Sequence, residues 1–94
     1  MRGDEKSQYN AMQNRLLMLI SLSVRESSLQ RLECVQEEAG GMLHTILECF
    51  HNRAIEEGEL IAFALLMDQL RYVVTERKRV IANLDSSITK FASE

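Results

Sequence analysis

Proline and tryptophan are absent from this chain, and glycine occurs only four times in 94 residues. Turn-rich β architectures rely on Gly and Pro for backbone conformations that other residues avoid. Their scarcity speaks against an all-β domain and for long helices. Aromatic residues supply 5% of the sequence, against 46% hydrophobic residues overall. A core drawn from that stock is aliphatic, with methionine as adaptable filler at Met12, Met18, Met42 and Met67. A chain this apolar does not belong with disordered tails.

Two cysteines, Cys34 and Cys49, are too few for a disulfide framework, and reduced thiols in a cytoplasmic protein are expected. Positive charge is also in short supply. The net charge is −3, which disfavours tracking a nucleic-acid backbone, since that rewards clustered Lys and Arg. No apolar run is long enough for a bilayer. Leu16-Leu17-Met18-Leu19-Ile20 falls well short of the about 20 residues a span requires. As a secretory leader it also fails, with Asp4 and Glu5 in the place of a basic region and no small-residue cleavage site after it. The expectation is a soluble chain with no membrane partner.

What the sequence does contain is a seam. Leu60, Phe63, Met67, Leu70, Val74, Arg77, Ile81, Leu84, Ile88 and Phe91 succeed one another at steps of three and four, and all but Arg77 are apolar. That spacing marks a helix that lies along another helix. It predicts a helix from Glu59 to about Ala92, roughly 50 Å long. Upstream, Met12, Leu16, Leu19, Ile20 and Val24 follow helical spacing, with Leu17 and Leu22 broadening the stripe enough to meet more than one neighbour. Arg25-Glu26-Ser27-Ser28 interrupts the pattern, which resumes at Leu29, Leu32 and Val35. With neither Gly nor Pro at that point, the preferred reading is one long helix from Tyr9 to Glu38 carrying a stutter; two helices joined near Ser27 is the alternative. Gly40-Gly41 is the clearest punctuation, read as the end of a helix. A shorter helix over Met42–Glu56 follows, its inner face Leu43, Ile46, Leu47, Phe50 and Ala54, ended by Gly58.

The expected architecture is therefore an all-α helical bundle of two long helices and one shorter one, packed like a coiled coil. Residues 1–7 form a flexible polar lead and 8–94 a single helical domain. Three helices of these lengths leave part of the last one uncovered. A second subunit is the natural cover, giving a symmetric homodimer.

Three constellations bear on function. The seam residues Leu60, Phe63, Met67, Leu70, Val74, Ile81, Leu84 and Ile88 would supply an interface, with Arg77 setting register or partner choice. His44, Glu48 and His51 share one helical face and contain the Glu-x-x-His spacing of di-iron bundles, which gives a metal-binding, ferritin-like alternative. Glu33 or Glu37 would be the extra carboxylate. Arg77-Lys78-Arg79 is the only basic cluster and gives a nucleic-acid alternative, without an aromatic platform or phosphate loop beside it. Cys34 and Cys49 lack the close pairing of a structural zinc site. The reading these features favour is a small non-catalytic protein–protein interaction module: an adaptor, a chaperone, or an inhibitor or regulator of a larger complex. It requires a protein partner and no cofactor.

Overall fold

Helix ends in this chain are set by side-chain caps more than by glycine. A computed structural model describes residues 2–93, with side chains from 6 to 92. Three helices follow one another, α1 (Arg2–Ser23), α2 (Leu29–His51) and α3 (Glu57–Ser93). Each packs against both others, and no strand occurs among the described residues. The all-α bundle expected from composition is the observed architecture.

The single helix read over Tyr9–Glu38 is two helices, and the break lies at 24–28. Helix α1 closes with tightened i→i−3 bonds from Arg25 N–H to the Leu22 carbonyl (3.2 Å) and from Glu26 N–H to the Ser23 carbonyl (3.3 Å). The Glu26 carboxylate then accepts from the Ser27 and Ser28 amides at 3.1 and 3.2 Å. Ser28 is extended (φ −105°, ψ 122°), and its hydroxyl accepts from Arg31 N–H, which makes it the N-cap of α2.

Helix α2 in turn runs straight through Gly40-Gly41, where a break was expected. Leu32, Ala39, Met42, Ile46 and Cys49 are all buried, and only an unbroken helix puts them on one face. Two mid-helix glycines cost about 1 kcal/mol each. Burying each large side chain on that face returns about 1.5–3 kcal/mol, so burial wins. The lengths are consequently 22, 23 and 37 residues, one long helix and two shorter ones rather than two long and one short.

Helix α2 ends at His51, five residues before the expected end at Glu56. Ala54 N–H reaches the Cys49 carbonyl (2.8 Å) and Arg53 N–H the Phe50 carbonyl (3.0 Å), with Arg53 in the left-handed region at φ 60°. This is a Schellman closure carrying Arg where glycine normally sits. Gly58 lies in the first turn of α3 instead. There Glu59 reaches back to the Glu56 amide at 3.0 Å, as in a capping box.

Glycine is thus placed where a helix does not need it and missing where the backbone favours it. Nothing lies within 4 Å of a Cβ added at Gly40 or Gly41. Gly40→Ala with Gly41→Ala is expected to stabilise the fold by up to about 2 kcal/mol. Arg53→Gly should add a smaller gain, since relief of the left-handed strain is partly offset by a more flexible unfolded chain. Thermal melts read this directly, at roughly 4–8 °C per kcal/mol for a domain of this size. A lower melting temperature for the alanine pair would show that the glycines are needed for packing.

Long-range polar contacts give the helix directions. The Tyr9 hydroxyl donates to the Glu59 carbonyl at 2.9 Å, Lys6 pairs with the Glu59 carboxylate, and Arg77 donates to the Glu26 carbonyl. So α1 runs parallel to α3, start beside start. Arg15 grips Glu38 through Nε (2.6 Å) and Nη2 (2.9 Å), and Lys78 donates to Gln36 at 2.7 Å, so α2 runs antiparallel to both. The Arg15 hydrogen bond holds the Glu38 carboxyl below its usual range. That contribution is present at neutral pH and fades as acid titrates the carboxylate; exposure of both partners keeps it small.

The up-down-up bundle is 63 × 18 × 17 Å. Helix α3 is about 55 Å long and its companions about 33–35 Å. About 20 Å of α3 therefore projects beyond them, and every residue from 82 to 92 is exposed.

Candidate docking site

The α3 seam divides into two stretches. From Leu60 to Ile81 it faces α1 and α2. Phe63 and Val74 are fully buried, Met67, Leu70 and Ile81 nearly so, and Leu60 half-buried. Phe63 meets the Tyr9 ring at 6.2 Å between centroids. Burial pushes the Tyr9 phenol above its ordinary value, so it stays a neutral donor to Glu59. Residues placed at a candidate interface thus form the chain's own core. Beyond Ile81 the companions stop and the seam continues bare: Leu84 is 55% exposed, Ile88 65% and Phe91 82%.

A second stripe was not recognised in the sequence. Ala62, Leu66, Val73, Val80, Leu84 and Phe91 share a helical face one step round from the core face. Gln69, Glu76 and Ser87 interrupt it, which hides its periodicity. The surplus apolar residues of α1 were the available signal. Leu17 and Val24 are about half exposed, and both border this stripe. Two clefts open there along the α1–α3 boundary. The larger, about 560 Å³, is lined by Leu17, Ala62, Leu65, Leu66 and Gln69 among others. The smaller, about 270 Å³, is lined by Val24, Tyr72, Val73, Glu76, Arg77 and Val80. A third cleft, about 210 Å³, lies between α2 and α3 beside Gly40, Leu43, Met67 and Val74.

The other sequence constellations are spread over the surface. His44 and Glu48 form an i,i+4 pair at 3.1 Å, with both side chains well exposed. His51 lies at the end of α2, also exposed. Among the described residues, no group of three or more His, Cys, Asp or Glu side chains is disposed to hold a metal ion. Cys34 is exposed and Cys49 buried. They stand on one helix about 22 Å apart, too far to share a ligand or a disulfide. The basic cluster diverges. Arg77 turns to the Glu26 carbonyl, Lys78 to Gln36, and Arg79 to Glu76 at 3.1 Å. Three consecutive helical residues point about 100° apart, so they do not form one patch.

Among the described residues, no helix is long and apolar enough to cross a membrane. No family model, curated protein or solved structure matches the chain.

Proposed function

We propose that this chain is a non-catalytic protein–protein interaction module of the adaptor, chaperone or regulator type, and that it works by helix docking as a homodimer. One observation carries the reading: α3 outruns its bundle by about 20 Å, and that free length presents Leu84, Ile88 and Phe91 to water. An isolated helical extension of a dozen residues is marginal on its own, because most helical stability comes from packing an apolar face. A continuous apolar stripe on such an extension fits a surface that is covered in the working assembly. A reducing, cytoplasmic setting suits the two cysteines, which the fold keeps apart.

Amide hydrogen exchange tests the proposal. Residues 82–92 should exchange rapidly in dilute protein and become protected as concentration rises, while the buried turns around Phe63 and Val74 stay protected throughout. Equal, fast exchange of 82–92 at every concentration would count against a docked end.

A further inference from the structure

We infer that the surface covering the bare end of α3 is a second copy of this chain, docked antiparallel, so that each copy's overhang lies in the other's α1–α3 groove. The inference rests on the homodimer proposed above and adds to it an orientation and a register.

The overhang offers two knobs on the stripe, Leu84 and Phe91, seven residues apart. The groove offers two clefts, lined among others by the half-buried Val73 and Leu66, which are also seven residues apart. Both intervals are about 10.5 Å along the helix axis. Both clefts are shallow and open to solvent, and the one beside Leu66 is the wider, about 560 Å³ against about 270 Å³ beside Val73. The antiparallel orientation brings the larger knob, Phe91, to the larger cleft and Leu84 to the smaller. A parallel orientation reverses that match.

Symmetry points the same way. Groove and overhang occupy different lengths of one helix, so parallel docking would be head-to-tail and leave an unfilled groove and a bare end on each assembly. Antiparallel docking about a two-fold axis fills both grooves and both ends at once, a closed isologous pair. The axis then falls midway between Val73 and Leu84, near Lys78 and Arg79. Glu76 lies close to it, with its charge already compensated by Arg79 at 3.1 Å.

Area decides against the simpler pairing of one overhang with another. From Leu66 to Phe91 the stripe is about 39 Å long and about 10 Å wide, and α1 widens it at Leu17 and Val24. That footprint is about 390 Å² before α1 widens it, about half of the roughly 800 Å² per partner of a standard complex and in the range of a weak, reversible one. Two overhangs meeting end to end would use less than half that length.

Cysteine cross-linking in a Cys34→Ser background separates the possibilities. Ser87 and Gln69 are exposed, lie on the same side of the stripe, and are brought opposite each other by this register. An equimolar mixture of the full-length S87C and Q69C chains, oxidised and run without reductant, should give a covalent dimer at least about tenfold more abundant than either chain alone. Sedimentation of the Cys34→Ser parent runs alongside. A dimer in sedimentation with S87C linking to itself as well as to Q69C overturns the antiparallel register and leaves the docking proposal standing. A dimer with no cross-link at all also overturns the register alone. A monomer at all concentrations overturns the second copy as occupant, and the homodimer with it.

Discussion

Replacing Leu84 and Phe91 together with aspartate is expected to hold the protein at its 10.8 kDa monomer mass under conditions where the parent chain sediments as a dimer. Folding should be nearly unaffected. Both side chains lie outside the core, at 55% and 82% exposure, and substitutions at such positions usually change stability by no more than about 0.5 kcal/mol each. A negative charge in the last turns of a helix is mildly unfavourable, by about 0.3–1 kcal/mol, so some fraying at the tip of α3 is expected. In the dimer the same positions become buried, and an unpaired buried charge costs several kcal/mol after relaxation. With two carboxylates per copy, the dissociation constant should rise by a factor of about 1,000 or more, at about 1.4 kcal/mol per tenfold. Circular dichroism checks that helix content is kept, and sedimentation reads the mass. If the double variant associates like its parent, the overhang is not the docking element.

Phe63→Ala should have the opposite profile, a large loss of stability arising within one chain. Phe63 is fully buried where α1 and α3 begin, against Tyr9 at 6.2 Å between ring centroids. Truncating a buried Phe to Ala typically costs 3–5 kcal/mol, part of it from the cavity left behind. Proteins carry roughly 0.05–0.15 kcal/mol of stability per residue, or about 5–14 kcal/mol for a chain of this length. The variant should therefore lose a large share of its stability and unfold at a much lower urea concentration. Leu65→Ala is the control, since Leu65 is 61% exposed and faces the groove. Its monomer stability should move by less than about 0.5 kcal/mol. Equal effects at the two positions would mean that the inward and outward faces of α3 are wrongly assigned.

The sequence showed the fold class and the inward face of α3 because the relevant signals are periodic and dense. Phe63, Met67, Leu70, Val74 and Ile81 line up with only Arg77 interrupting them, and scarcity of Pro and Gly left few alternatives to helix. The helix boundaries were harder to read, because here the turn is specified by side-chain hydrogen bonding. Ser28 caps α2 and Glu26 binds the two serine amides, whereas the visible signal, Gly40-Gly41, is overridden by burial on either side of it. Arg53 takes the left-handed position that a reader assigns to glycine. That some of α3 would be left bare followed from the expected lengths, but the extent of the bare end did not, because the expected first helix ran on to Glu38 where α1 stops at Ser23. The groove was not, because Gln69, Glu76 and Ser87 break the second stripe, and because α1 and α3 must be known to run side by side before Leu17 and Val24 can be placed beside Leu66 and Val73.

The most direct test of the account is the mass of the unmodified chain by sedimentation equilibrium from about 1 to 100 μM, a range chosen around the micromolar affinities that modest helical interfaces supply. The account predicts a concentration-dependent rise from 10.8 kDa to twice that value and no further, because a closed two-fold pair has no free end to extend. A mass fixed at that of one chain, or one that climbs past two without levelling, would contradict it.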